Sequence, residues 1–379
     1  MAGIYIHIPF CKQKCSYCDF HFSTNFKYKT VLLAALQKEI VLQKDHFKTE
    51  TINTIYFGGG TPSVLTEKEL NLLLEAVYRN YQVNEKVELT MECNPDDITS
   101  KKINEYKKSG VNRLSIGVQS FFDDDLQFFN RAHNASEAEQ SILKTQDAGI
   151  DNITIDLIYN SPLLILKKWE QNLDKFISLK VPHLSAYTLT VEPKTALHHL
   201  VKTKQTTLPT DEQAIEQFKL LMEKTKQAGL IHYEVSNFGK EGYFSQHNSN
   251  YWKGQNYLGI GPSAHSFMNN NSSQTRSWNV ANNTKYIKAI NQNTPYFEEE
   301  LIDETTAFNE YILTRLRTIW GLDLEYIKNT FNPVLLNHFE KELEAYKNSE
   351  LITISKNTVT LTTKGIFVVD KITADLFYV

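Results

Sequence analysis

Tyr5-Ile6-His7-Ile8-Pro9-Phe10-Cys11-Lys12-Gln13-Lys14-Cys15-Ser16-Tyr17-Cys18 joins an alternating apolar pattern to three cysteines spaced C-x3-C-x2-C. Ile4, Ile6 and Ile8 alternate with Tyr5 and His7, the period of a β-strand. The cysteines follow in the loop that leaves its carboxyl end. If that strand belongs to a parallel sheet, the loop hangs at the rim where such sheets bind ligands. Further strand-type segments are expected at 51–57, 87–92, 113–118, 152–158, 183–189 and 231–235. Helical periodicity lies between them at 28–43, 66–80, 100–109, 136–148, 166–179 and 211–228, with Gly110, Gly149 and Gly229 closing three of the helices. This alternation predicts an α/β fold, a parallel sheet whose six or so strand–helix units form a barrel or most of one.

After residue 295 the pattern changes. Helical segments at 303–320, 322–328 and 333–348 precede a β-type pair at 352–355 and 358–362, with Lys356-Asn357 at the turn. The tail reads as a small α+β, winged-helix-like module, so the expected domains are 1–295 and 296–379. It is not especially basic and reads as a helical cap without affinity for nucleic acid. The polar stretch 269–275 reads as a mobile surface loop.

The 379 residues carry 40 Lys+Arg against 44 Asp+Glu, a net charge of −4. That balance excludes a polybasic nucleic-acid or membrane-surface protein. The longest apolar runs, 31–36 and 163–166, fall far short of the ~20 residues of a spanning helix, so no transmembrane segment is expected. The first seven residues have no basic region, no signal peptide is expected, and the chain reads as cytoplasmic.

Of four cysteines, Cys11, Cys15 and Cys18 lie within eight residues and Cys93 stands apart. In a large, cysteine-poor chain such a cluster reads as a metal or redox site rather than a disulfide framework. Thiolates hold iron–sulfur clusters, usually four to a cubane. Three from one loop would leave one iron of a [4Fe-4S] cluster open to another ligand, and open coordination suits chemistry. A zinc knuckle is the alternative, but it needs a second ligand pair and only Cys93 is left over. Cys93 itself reads as a small buried hydrophobe.

The loop resembles that of the radical S-adenosylmethionine (SAM) superfamily, in which C-x3-C-x2-C binds three irons and SAM chelates the fourth. The flanks, residues 5–10 before it and Asp19-Phe20 after it, resemble the oxygen-independent coproporphyrinogen III oxidase-like group, and most of all its HemW-type haem chaperones. The resemblance covers nearly the whole chain. It implies a partial (β/α)6-type radical SAM barrel, a [4Fe-4S] cluster on Cys11, Cys15 and Cys18, and SAM.

The residues at the strand ends bear on that cofactor. Gly58-Gly59-Gly60-Thr61-Pro62 follows the second strand, and three glycines exceed what a plain turn requires, leaving backbone open to a ligand. Glu92 and Gln119 end the third and fourth strands, Asp156 lies in the fifth, and Arg131 follows twelve residues after Gln119. Singly each is a rim residue or an ion-pair partner. Together they offer carboxylates for an ammonium and ribose hydroxyls, and a guanidinium for a carboxylate. The resemblance implies SAM contacts at Tyr5, Gly59, Gly60, Thr61, Glu92, Gln119, Arg131 and Asp156. The chain departs from the group after Tyr159, where Asn160-Ser161-Pro162-Leu163-Leu164-Ile165 replaces Gly-Leu-Pro-Gly-Gln-Thr.

Two functions of different class follow from the resemblance. One is radical decarboxylation of coproporphyrinogen III. The other is a haem chaperone that binds haem and delivers it to client proteins, with an unidentified electron donor and without oxidase activity. The oxidases typically read C-x3-C-x2-C-x-C, whereas Phe20 stands at the last position here, and only ten residues precede Cys11. Both features resemble the chaperones. A haem carrier needs an axial ligand beside an apolar surface. His247-Asn248-Ser249-Asn250-Tyr251-Trp252 matches the HNxxYW pattern of that branch, where this histidine is a proposed haem ligand. A packed loop with a satisfied histidine is the other reading, and His265 is a second candidate ligand.

Overall fold

The computed structural model describes residues 2–47, 50–270 and 273–379. β1 (Ala2–Ile8) is enclosed on both faces, with Ile4, Ile6 and Ile8 fully buried. β2 (Ile52–Gly59), β3 (Val83–Cys93), β4 (Arg113–Gln119), β5 (Ile153–Tyr159) and β6 (His183–Thr188) continue from it in an unbroken parallel run. Their near-continuous burial is what helices on the outer face demand of a parallel sheet. Enclosing each Leu, Ile or Val contributes roughly 1.5–3 kcal/mol, so Leu114, Ile116, Ile153 and Ile155 at the centre fix the register.

The crossovers are α1 (Lys29–Leu42), α2 (Glu67–Asn80), α3 (Ser100–Lys108), α4 (Asp123–Phe128) with α5 (Ala135–Asp147), and α6 (Leu166–Ser178). α2 and α5 start on reciprocal capping boxes, Thr66 with Glu69 and Asn134 with Glu137. After β6 come α7 (Ala196–Lys202) and α8 (Asp211–Gln227). Helix α4 has no counterpart among the expected segments.

The sheet departs from expectation at both edges. The segment at 231–235 does form β7 (Ile231–Glu234), but it turns back at once into β8 (Asn237–Gly239), which pairs antiparallel with β6. Only Val235 and Ser236 separate the two strands, which permits a hairpin and forbids a parallel crossover. Helix α9 (Gln246–Trp252) then leads to β9 (Asn256–Ile260), which returns to the opposite side of the sheet and pairs parallel with β1. β10 (His265–Asn270), β11 (Ser273–Asn279) and, after α10 (Asn283–Gln292), β12 (Phe297–Ile302) extend that side as an antiparallel ribbon. The polar stretch expected to be a loop is therefore mostly strand, with Met268 opposite Thr275 and Asn269 opposite Gln274. Residues 271 and 272 lie outside the described residues. A ribbon solvated on one face carries too little apolar alternation to be read from sequence. The sheet also runs beyond residue 295, to Ile302 at the end of β12.

A buried carboxyl ties α1 to this extension. Glu39 accepts from the Gly261 N–H (2.7 Å), from Asn279 Nδ2 (2.7 Å) and from the Tyr286 hydroxyl.

The C-terminal module comprises α11 (Glu304–Leu316), β13 (Leu322–Asp323), α12 (Leu324–Thr330), α13 (Pro333–Lys347), β14 (Ile352–Ser355), β15 (Thr358–Leu361), α14 (Thr363–Ile366) and α15 (Val369–Leu376). Its three strands form a separate sheet in the order β13-β15-β14, over a core that includes Phe308, Ile312, Leu335 and Phe339. The helix expected at 322–328 begins two residues later, because Leu322 and Asp323 pair with β15 while the Asp323 side chain caps Glu325 and Tyr326. The module docks on the barrel's β7 edge. Ile319 N donates to Tyr233 O (3.0 Å), and the Phe367 ring meets Phe218 of α8 edge-on at 5.5 Å.

Candidate functional site

The loop after β1 is fastened on both sides. Phe10 is fully buried, and the Gly60 and Thr61 N–H groups donate to Ile8 O (3.0 Å) and Phe10 O (2.8 Å). Ser16 donates from N and Oγ to the carbonyls of Phe129 (3.0 Å) and Phe128 (2.9 Å), and Gln13 Nε2 donates to Asn130 O (2.9 Å). Asn130 Nδ2 donates back to Lys14 O (2.6 Å). Cys11, Cys15 and Cys18 thus ride on a braced loop, all three half-buried and unbridged.

They open into a cavity of about 930 Å³ at the carboxyl ends of the parallel strands. Gly59, Gly60, Thr61, Glu92, Gln119, Arg131 and Asp156 line the same cavity. Burial pushes the Cys11 and Cys18 thiols up to about 11, so metal binding there releases protons. Among the described residues no three His, Cys, Asp or Glu side chains converge on one point tightly enough to hold a single metal ion. A cubane takes one thiolate at each of three separate irons, and three unbridged cysteines stand on this loop. The donor set fits a cubane with one iron left to a further ligand.

Arg131 sits beside the thiols. Its Nη1 donates to Cys15 Sγ (3.2 Å), and its Nη2 donates to Asn94 Oδ1 (2.7 Å) and to Gly117 O (2.8 Å). Most of the fork expected to pair with a ligand carboxylate is therefore spent on the protein, where it places positive charge against the Cys15 sulfur. Glu92 accepts from the Tyr56 hydroxyl at Oε1 (2.8 Å) and from the Gly59 N–H at Oε2 (3.2 Å). Burial, with Asp156 nearby, pushes its carboxyl up to about 7. Burial likewise pushes Asp156 up to about 6, opposed by Ser185 and Arg113.

The triple glycine is demanded by packing as well as by access. A Cβ at Gly58 would stand 2.8 Å from the Tyr5 ring and 3.0 Å from Glu92 Oε1. At Gly60 it would stand 2.8 Å from Ile8 O and from Phe10 N. Gly59 has φ +107°, and a Cβ there would fall 2.4 Å from the His7 ring.

Tyr5 and His247 do not line the cavity. Tyr5 lies one layer behind, its hydroxyl 3.1 Å from His7 Nδ1. His247 lies behind it in turn, 2% exposed, with Nδ1 2.8 Å from Thr54 Oγ1 and Nε2 2.7 Å from the Tyr251 hydroxyl. Both ring nitrogens are occupied, as in the packed-histidine reading that the sequence left open beside the ligand reading. His265 is exposed at the start of β10, its ring 6.4 Å from that of Trp278, and is also outside the cavity.

Other lining residues had no signal in the sequence. Asn94 bridges Arg131 and Thr61, and Tyr187 projects from β6. Ile215 and Phe218 of α8 and Ile366, Phe367 and Asp370 of the C-terminal module complete the far wall. Asn94 alone had a clue, following Glu92 by two residues. A smaller cavity of about 210 Å³ lies between β7 and the C-terminal module and contains none of these groups.

Comparison with known proteins agrees with this geometry. Residues 5–176 match the radical SAM superfamily, and residues 302–368 match the HemN C-terminal domain. The haem chaperone HemW of Bacillus subtilis is 33% identical over 368 residues, 96% of each chain. HemW of Escherichia coli is 35% identical over 269 residues, 69% of each chain. The structure of E. coli coproporphyrinogen III oxidase (HemN) aligns with a TM-score of 0.84 at 20% identity, covering 99% of this chain and 89% of that one, a likeness of fold alone. A three-thiol loop at the mouth of a parallel half-barrel, with a chaperone's similarity along almost its whole length, settles the family: the chain belongs to the radical SAM superfamily and, within it, to the family of HemW haem chaperones.

Proposed function

We propose that this protein is a haem chaperone that carries a [4Fe-4S] cluster on Cys11, Cys15 and Cys18, binds SAM at the cluster's open iron, takes up haem and delivers it to client proteins. The observation that carries the reading is the similarity to a haem chaperone along 96% of the chain. Phe20 adds support: it stands 69% exposed where the resemblance gives the oxidases a further cysteine. The four cysteines are all free and no helix among the described residues is long and apolar enough to cross a membrane, which supports work in the reducing cytoplasm.

When bound, the cluster supplies an electron and an open coordination site. This chain's residues do the rest. Arg131 donates to the Cys15 sulfur and would hold its charge beside the bound cluster. Glu92, held by Tyr56 and Gly59, would accept from the ammonium of SAM, Asp156 and Gln119 would take its ribose hydroxyls, and Gly60 and Thr61 would offer it open backbone. The cavity falls within the ~300–1,000 Å³ of small-molecule sites, and Ile158, Leu189, Ile215, Phe218 and Phe367 give it an apolar side suited to a macrocycle. Haem reaching His247 would require α9 to lift from β2, breaking the bond to Thr54, and the imidazole to part from Tyr251 on the same helix. His265 is reachable without such opening, and burial lowers its pKa, favouring the neutral imidazole that ligates iron.

The test is a paired assay on anaerobically purified protein. Haem titration is expected to give a saturable Soret band, while SAM and reductant leave coproporphyrinogen III unchanged. Protoporphyrinogen IX formed at many turnovers, with no haem bound, would assign the oxidase function instead.

A further inference from the structure

The buried motif beneath the cavity has a place in the cofactor site. Glu88 anchors α9 to β3, accepting from the N–H groups of Gln246 (3.1 Å) and His247 (3.0 Å). From that anchored turn the His247 ring crosses to β2, stacking on Tyr56 with centroids 4.9 Å apart and planes at 24°. Thr54 and Tyr251 hold its two nitrogens, and a Cβ on Gly3 below would come within 3.2 Å of Nδ1. The ring has nowhere to move. The far end of Tyr56 is the hydroxyl that donates to Glu92, and Tyr5 stacks against both rings, 6.0 Å from Tyr56 and 6.4 Å from His247.

We propose that His247 is a positioning residue for the cofactor site: by fixing the Tyr56 ring it aims the hydroxyl that holds the Glu92 carboxylate. The inference rests on the reading of Glu92 as the partner of SAM's ammonium. It gives the geometry of α9 a role that needs no ligand on His247. Titratable side chains that face Glu92 are Tyr5, Tyr56, Asp156, Tyr187, Tyr251, Cys11 and Cys93. Of these, Asp156 titrates closest to Glu92, so an Asp156→Asn background separates the two carboxyls.

SAM affinity of the anaerobically reconstituted full chain, measured by equilibrium dialysis between pH 6 and 9, tests the proposal. In the wild type, binding strengthens as Glu92 ionises near neutrality and weakens again as the α-ammonium of SAM loses its proton above about pH 8. Tyr56→Phe keeps the ring and its stack but removes one donor to the carboxylate. It is expected to weaken SAM at pH 7 by roughly tenfold, the worth of a hydrogen bond to a charged group, and to move the rising limb of the profile to higher pH. His247→Gln is expected to displace the profile the same way, and the double variant no further than Tyr56→Phe alone. A merely structural role for His247 would lower stability and leave the profile where it was. Thr54→Val, close in shape, unpins the ring from its other nitrogen and must displace the profile in the same sense even if His247→Gln is insoluble. A wild-type profile in His247→Gln or Thr54→Val, or additive displacement in the double variant, overturns the inference alone. Failure of the wild type to bind SAM at any pH overturns the cofactor reading and this inference with it.

Discussion

Replacing Cys11, Cys15 and Cys18 together by alanine is expected to remove all cluster iron and acid-labile sulfide and leave a folded protein. The three side chains are half-buried at a cavity edge rather than packed in the core, so their loss opens little internal space. The loop is held by Phe10, Ser16 and Asn130, none of which depends on a thiol. A cubane left with two protein thiolates is exposed to solvent on two corners, so each single replacement is expected to lose most of its iron as well. Cys93→Ala supplies the control. Its sulfur is buried against Met91 O (3.7 Å) and the Tyr106 hydroxyl (3.9 Å), and burial holds its thiol far above the usual range. Iron is therefore expected at the wild-type level in that variant, with only a modest fall in Tm. Iron retained in the triple variant, or lost from Cys93→Ala alone, would reassign the ligands.

The second large effect is expected from one methyl group. Gly60→Ala places a Cβ 2.8 Å from Ile8 O, 2.8 Å from Phe10 N and 2.9 Å from Phe10 O, all backbone atoms that cannot rotate aside. Relief must come from parting β2 from the cluster loop, which breaks the Gly60–Ile8 and Thr61–Phe10 hydrogen bonds. Overpacking of this kind costs about 1–3 kcal/mol, and here the displaced segment carries the thiols. Reconstituted iron is expected to fall below half and SAM affinity by tenfold or more. Gly229→Ala is the matched control: its φ of +77° makes alanine unfavourable, yet nothing lies within 4 Å of the new Cβ. That variant should lose stability without losing iron. Equal iron in the two variants would mean that strain at Gly60 is absorbed without moving the loop.

The parallel strands and their helices were legible in the sequence because burial on both faces writes long apolar runs and capping residues. The cluster loop was legible because its spacing is chemically specific. The hairpin β7–β8 was not, since two residues between strands leave no room for a signal beyond the strand itself. The ribbon β10–β12 was hidden by its exposed polar face. At the site, Glu92, Gln119, Arg131 and Asp156 were found as polar residues within, at or beyond the strands, but the partners of Arg131 depend on contacts between distant segments. His247 shows the limit most clearly. An imidazole beside Tyr251 and Trp252 reads equally as ligand or as packing, and only the placement of Thr54 and Tyr56 on β2 decides that in this fold it is packed. The contribution of Phe367 to the cavity follows from domain docking, which no local pattern encodes.

The account rests on a three-thiol cluster whose open iron takes SAM. Electron paramagnetic resonance of the reduced, reconstituted wild type, recorded before and after addition of SAM, tests this directly. The account predicts a [4Fe-4S] signal whose g-values shift when SAM binds the open iron and which is absent from the triple cysteine variant. A signal unchanged by saturating SAM, or zinc in place of iron at full occupancy, would contradict it.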